Sequence, residues 1–321
     1  MRRRLSIFVP TYHRTQELQK CLESVILECN RNKEQNIAIY VSNNDSSDLL
    51  TFEMVEKLKN SYSNIYYSSN DENIGIDGNM QLGFEWPDSQ YCLMLGDDDE
   101  ICKGGLKIIF DIIDNYDNLA FAILNWISED DNGTKNLAWS ICQNILYENV
   151  VECFRENYDA TPYGTILCNL EYASEVSSEK RRKYMGTFHL YTGILWEMVL
   201  KNGIIVKSAE PIILKRSYCK KSWDSERADV MLVGIPKWFD TLPEVYQKYA
   251  RGFKRIHVDK IKNTRIIMGL LRGYKITQWK TFRGAHINWS IKAKVFIILI
   301  VYSLIPYAFF AKVNSIINNE R

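Results

Sequence analysis

Over the first 130 residues, two hydrophobic periods take turns. Short apolar runs of strand length stand at Arg4–Pro10 (RLSIFVP), Ile37–Val41 (IAIYV), Ile65–Ser68, Tyr91–Leu95 (YCLML) and Leu119–Trp126. Between them apolar residues recur every three or four positions. Thr15–Cys29 lines up Leu18, Cys21, Leu22, Val25, Ile26 and Cys29 on one helical face. Asp48–Asn60 does the same with Leu49, Phe52, Val55 and Leu58, behind Ser47 or Asp48 as cap. Further helices are predicted at Gly78–Glu85, closed by Trp86-Pro87, and near Leu106–Ile113. Strand and helix alternate, which predicts a mainly parallel, Rossmann-like α/β sheet with helices on both faces. After residue 127 the pattern loosens. Glu129–Asn136 reads as a turn, Ser174–Lys183 as a polar loop or helix end, and Ile204–Val206 and Pro211–Leu214 as short strands. From Pro236 the chain is helical and aromatic, with Lys and Arg interleaved.

Composition narrows the picture. At 321 residues the chain can bury a large core in one domain or two. A net charge of +1 gives no case for nucleic-acid binding. The eight cysteines form no CxxC pair, so they read as reduced, buried thiols in a reducing compartment. The N-terminus MRRRLSIFVPTYHR starts basic, but its apolar run is too short for a secretory signal. Near the C-terminus, Val295–Ala311 is an uncharged stretch flanked by Lys292, Lys294 and Lys312 and interrupted by Pro306. A spanning helix needs about 20 apolar residues. A helix lying in the bilayer face fits at least as well, and the basic flanks favour the anionic cytoplasmic leaflet. The expectation is a cytoplasmic protein, peripheral at the inner face of the cell membrane. A buried core helix is the alternative.

The chemistry concentrates where strands end. In LGDDDE (Leu95–Glu100) an apolar strand runs into four carboxylates, which must stay solvated or find a cation. Ligands of open α/β sheets bind beyond the carboxyl ends of such strands. Carboxylates held there suit a hard cation, Mg2+ or Mn2+, which suits a diphosphate. Three more strand-end loops accompany it: VPTYHR (Val9–Arg14), VSNNDSSD (Val41–Asp48) and NDENIGIDGN (Asn70–Asn79). No GxGxxG follows the first strand, which argues against a dinucleotide oxidoreductase.

In this order and spacing the four loops, over about 130 residues, resemble the inverting family 2 glycosyltransferases of the GT-A fold. The LGDDDE form is similar to the sub-group that builds bacterial surface polysaccharide (capsule or O-antigen), including abequosyltransferase-like proteins. The resemblance implies a GT-A catalytic domain over residues 1–235, with a nucleotide-sugar half at 1–127 and an acceptor half at 128–235. A helical C-terminal region follows at 236–321, with 295–311 as its membrane-associating segment. It implies that Pro10, Thr11 and Tyr12 border the base, that Arg14 sits on its phosphate side, and that Gly75 and Asn79 close over the diphosphate or ribose. Asn43 and Asn44 fall where the family has its acidic pair. An asparagine both donates and accepts, so uridine, thymidine and cytidine donors all stay open. Asp97 and Asp98 would share the ribose, and Asp99, aided by Asp97, would hold the metal. Arg216, Lys220 or Lys221 would reach the diphosphate.

Inversion also needs a general base. The family's Glu-Asp pair is missing from the matching region, YMGTFHLYTGIL (Tyr184–Leu195). His189 stands there instead, with Glu197 and Asp224 as rivals. The implied partners are a nucleotide-diphosphate sugar and a saccharide or polyprenyl-diphosphate-linked acceptor. A sugar nucleotidyltransferase is the enzymatic alternative, although VPTYHR is not a Gly-rich basic loop. A catalytically silent, membrane-bound scaffold or sugar-binding module is the non-enzymatic one.

Overall fold

The computed structural model describes residues 2–32, 36–217 and 226–304. The chain forms two compact units: Met1–Met185 with Leu190–Ser222, and Gly186–His189 with Trp223–Arg321.

The first unit is built on strands β1 (Arg3–Thr11), β2 (Ala38–Asn43), β3 (Ile65–Ser69) and β4 (Ser89–Met94). All four run parallel, in the order β3-β2-β1-β4. The intervening helices are α1 (Thr15–Arg31), α2 (Leu49–Leu58) and α3 (Gly75–Glu85). After β4 come a three-residue strand β5 (Asp99–Ile101), α4 (Gly105–Asn115) and a long strand β6 (Leu119–Glu129). Short strands β7 (Lys135–Leu137) and β8 (Ile145–Tyr147) precede α5 (Val150–Asn157). Strand β9 (Ile166–Asn169) then slots antiparallel between β4 and β6. Helices α6 (Leu170–Ser174), α7 (Ser178–Tyr184) and α8 (Leu190–Met198) follow.

The two short strands expected at 204–206 and 211–214 are one, β10 (Ile204–Arg216). It lies parallel to β6 with register shifts around Pro211, where the missing N–H breaks the ladder without ending the strand. β5 pairs with it antiparallel.

Alternation along β1 explains the layers. Leu5, Ile7 and Val9 join Leu18, Leu22 and Val25 of α1 and Leu106 and Ile109 of α4 in one buried cluster. On the other face α3, α6 and α8 pack together. The buried face of α1, entered at Arg14, packs on β1, so the loop between them lies at the carboxyl end of that strand.

The second unit is helical. It comprises α9 (Arg227–Asp229), a π-turn, α10 (Ile235–Thr241), α11 (Glu244–Ile261), α12 (Thr264–Leu270), α13 (Trp279–Arg283) and α14 (Trp289–Leu304). Its core joins Leu232, Ile267, Leu271 and Phe282 to Ile291, Val295 and Leu299 of α14.

Candidate active site

The carboxyl ends of β1, β2 and β4 place the strand-end loops together. Thr11 lies in register with Asn43, and Asn44 donates its backbone N–H to Thr11 O at 2.9 Å. The chain turns at Gly96–Asp99, closed by Asp99 N–H to Gly96 O at 3.1 Å. This turn carries Asp97, Asp98 and Asp99 at 6%, 8% and 1% exposure. Burying three carboxylates side by side demands counter-charges, and the neighbours supply them. Thr11 Oγ1 donates to Asp97 Oδ2 at 2.8 Å and Arg14 to Asp97 Oδ1 at 2.6 Å. The other Arg14 nitrogen stands 3.2 Å from Asp98 Oδ2. Lys215 Nζ lies 2.6 Å from Asp99 Oδ2.

Burial pushes the Asp97 carboxyl up to about 7, against the pull of Arg14. Burial also lowers Arg14, but Asp97 and Asp98 outweigh it and hold the guanidinium above its ordinary value.

A neutral network forms the other wall. Asn44 Oδ1 accepts from Asn70 Nδ2 at 3.0 Å and from Ile74 N–H at 3.1 Å, while its Nδ2 donates to Asn73 Oδ1 at 2.8 Å. Asn79 Oδ1 accepts from Ser42 Oγ at 2.6 Å, and its Nδ2 donates to Ser42 O at 3.2 Å. Gly75 opens α3 at φ +72° and donates to Asn73 Oδ1 at 2.8 Å. Asn44 and Asn79 therefore hold loop to loop. Asn43 is fully buried; its Nδ2 donates to Tyr67 OH at 3.1 Å and to Asp48 Oδ2 at 3.3 Å. Among the described residues its Oδ1 accepts no hydrogen bond. At the rim, Pro10 is half-buried, and the exposed Tyr12 ring lies 4.2 Å from the His13 ring.

Arg216 pairs with Glu100. Strand alternation puts this pair on the face of β10 and β5 opposite to Lys215 and Asp99. Glu197 is bonded to Lys180 at 2.6 Å and to Tyr184 OH at 3.2 Å, a structural ion pair. Lys220, Lys221 and Asp224 lie outside the described residues. His189 belongs to the second unit. Its Nδ1 lies 3.2 Å from Thr187 O, its ring 5.9 Å from that of Trp238, and burial holds its pKa down. With Nδ1–H donated to Thr187, the lone pair resides on Nε2.

Two groups were missed by pattern reading. Lys215 answers Asp99 through an antiparallel register pair 116 residues away in sequence. Asn70 and Asn73 complete the amide network.

Among the described residues, no three acidic, histidine or cysteine side chains converge as a ready-made metal site. The all-oxygen set of Asp97–Asp99 still fits Mg2+ or Mn2+, which take one or two carboxylates and complete their shell with substrate phosphates and water. Asp99, with Asp97, would hold such an ion, which would offset charge on a diphosphate.

A buried acidic turn at the carboxyl edge of a largely parallel sheet, framed by loop ends from three neighbouring strands, defines an α/β protein with its candidate site at the strand ends. Comparison with known proteins makes this specific. The family model "Glycosyl transferase family 2" matches residues 6–193, more than half of the chain, and the chain belongs to that family. It is 32% identical over 115 residues to abequosyltransferase RfbV of Salmonella typhimurium, covering 35% of this chain and 33% of that protein. It is 30% identical over 108 residues to the GalNAc(5)-diNAcBac-PP-undecaprenol beta-1,3-glucosyltransferase of Campylobacter jejuni, covering 33% of each. The matched stretch thus spans a third of the length of these relatives. In fold the chain is similar to S. aureus TarS 1–349, with a TM-score of 0.55 at 13% identity, covering 92% of this chain and 89% of that one. It is also similar to the mannosyltransferase PcManGT from Pyrobaculum calidifontis, solved with GDP-Man and Mn2+, with a TM-score of 0.53 at 10% identity over 95% and 88%. The fold is GT-A.

Proposed function

We propose that this protein is an inverting glycosyltransferase that moves a sugar from a nucleotide-diphosphate sugar to a saccharide acceptor in bacterial surface-polysaccharide synthesis. One observation carries the reading: the buried turn Asp97–Asp98–Asp99 at the end of β4, ion-paired through Asp97 and Asp98 to Arg14 from the loop after β1. Pro10, Thr11 and Tyr12 border the base. Arg14 orders the carboxylates that face ribose and metal, and Gly75 leaves backbone room for the diphosphate. Asp99, with Asp97, holds Mg2+ or Mn2+. Asn44 and Asn79 fix the loops rather than touch the donor. The Asn43 carbonyl favours a base that presents a ring N–H, such as uracil or thymine, over cytosine, whose ring nitrogen is itself an acceptor. His189 is the proposed general base. Its depressed pKa keeps the imidazole neutral, and so able to take the acceptor hydroxyl's proton, near pH 7.

The acceptor is polyprenyl-diphosphate-linked. In support, the name of the Campylobacter relative records such an acceptor. Among the described residues no helix is long and apolar enough to cross a membrane. Yet α14 exposes Trp289, Phe296, Ile297, Ile300, Val301 and Leu304, a stripe suited to lying in a bilayer face beside Lys292 and Lys294. The division of labour is a catalytic domain at 1–235 and a membrane-associating region at 236–321; the part of 295–311 beyond Leu304 lies outside the described residues.

The test is a transfer assay with a panel of uridine, thymidine, cytidine and guanosine diphosphate sugars, Mn2+ and polyprenyl-diphosphate-linked acceptors. Nuclear magnetic resonance reads the product anomer. Transfer with inversion is expected, lost in Asp99→Ala; retention of the anomeric configuration contradicts the mechanism. Detergent-free fractionation of chains with and without residues 290–321 tests membrane contact, and full solubility of the intact chain contradicts it.

A further inference from the structure

Lys215 occupies an unusual position. It sits opposite Asp99 in the β10–β5 register. Its ammonium bridges Asp99 Oδ2 at 2.6 Å and Tyr163 O at 2.8 Å. The Lys215 side chain is only 17% exposed and that of Asp99 1%. The next residue of the loop, Gly164, closes over the pair. At φ +96° it takes a conformation that suits glycine, and a Cβ there would lie 2.1 Å from Asp99 Oδ2 and 3.0 Å from Lys215 Nζ. Three segments of the first unit therefore hold one lysine against the carboxylate best suited to a divalent ion.

We propose that Lys215 is an internal counter-cation at Asp99 which a divalent ion must displace, so that the ion binds well only together with a nucleotide diphosphate. The inference rests on the nucleotide-sugar reading above. Arg14 pairs with Asp97 and Asp98, and Lys215 with Asp99. An ion arriving alone takes Asp99 away from an ammonium that water barely reaches, and two poorly solvated cations a few ångströms apart repel strongly. A diphosphate reverses the balance. Its oxygens complete the ion's shell and give the ammonium a new counter-charge. The lysine thus creates a coupling between ion and diphosphate that by linkage acts equally in both directions. Lys215 is a positioning residue in this account: it sets the charge state of Asp99.

Calorimetric titration of the full chain with Mn2+ alone, then with Mn2+ in the presence of UDP, dTDP, CDP or GDP, tests this. Lys215→Met should bind Mn2+ without nucleotide at least about tenfold more tightly than wild type, or about 1.4 kcal/mol. It should also lose most of the gain that a nucleotide brings, and Lys215→Arg should restore wild-type coupling. A lysine with a merely structural role would leave Mn2+ affinity unchanged or weaken it. Equal or weaker Mn2+ binding by a folded Lys215→Met chain overturns the inference. Should that variant fail to melt cooperatively, Lys215→Gln, which keeps a donor for Tyr163 O, takes its place. The wild-type chain gives an independent reading: Mn2+–pyrophosphate should bind at least tenfold more tightly than Mn2+ alone, and no difference overturns the coupling. Failure of the two ideas looks different. Coupling with pyrophosphate but no binding of any nucleotide sinks the nucleotide-sugar reading. Mn2+-dependent nucleotide binding with unchanged ion affinity in Lys215→Met sinks only the role of the lysine.

Discussion

The two walls of the candidate site solve the same problem by different means. Both line up buried polar groups at strand ends. The amide wall, Asn44, Asn70, Asn73 and Asn79, satisfies itself with neutral hydrogen bonds. The acidic wall, Asp97–Asp99, leans on cations from the β1 loop and β10, with the Thr11 hydroxyl donating to Asp97. A neutral, internally paired network keeps its geometry whether or not a ligand is present. A charged turn balanced by side chains is one that, in the proposed function, exchanges them for a metal and a diphosphate. The amide wall should therefore matter most to stability, and the acidic wall to binding.

The sharpest way to break this contrast is Asp99→Ala. It should abolish Mn2+-dependent nucleotide binding, weakening it at least about 100-fold, because it removes the proposed ligand and leaves the Lys215 ammonium buried without that partner. Calorimetry checks it. Asn44→Ala comes next. It strands the Ile74 N–H and takes one partner each from Asn70 and Asn73, and should cost about 2 kcal/mol of stability in urea unfolding, with a smaller loss of nucleotide affinity. An Asn44→Ala chain as stable as wild type would erase the distinction between the walls. Gly164→Ala should cost about 1–2 kcal/mol from its left-handed backbone alone, and should weaken metal binding as the new methyl displaces Asp99; thermal melting and Mn2+ titration read both.

The smallest effect is a pH dependence of opposite sign in the two units. The Asp97 carboxyl is raised in the folded state to about 7, so the native chain holds a proton that the unfolded chain has lost. Its contribution is present at low pH and is lost as pH rises from about 4 through 7. In the second unit burial depresses His189 and His257. Their contribution is present above the unfolded value of about 6.5 and is lost as pH falls below it. Asp97→Asn should flatten the first slope, and His189→Gln with His257→Gln the second, in urea titrations across pH 4–8. Slopes unchanged by these substitutions would contradict the assignment.

How much of this was legible depends on distance along the chain. Thr11, Arg14, Asn43, Asn79 and the aspartates follow strands whose apolar runs mark where each loop begins, so the cradle could be read locally. Helices α1 and α4 were equally plain from their periodic faces. β5 was hidden because Asp99-Glu100-Ile101 offers two carboxylates and a single apolar residue. β9, four residues long, gives too little pattern to announce an antiparallel strand inside a parallel run. Lys215 carried no local signal at all, since only the pairing of β10 with β5 brings it to Asp99. Arg216 was the natural choice by charge, but the two-residue period of a strand turns it to the other face. Asn44 and Asn79 read as ligand groups because sequence cannot tell an amide that meets a substrate from one that ties two loops together.

The proposed metal-assisted nucleotide-sugar site at the carboxyl edge of the sheet is tested by calorimetry of the full chain against UDP, dTDP, CDP and GDP, with and without Mn2+. Mn2+-dependent binding is expected, strongest for a base with a ring N–H and weak for CDP. A folded chain that binds none of the four, with or without Mn2+, contradicts it.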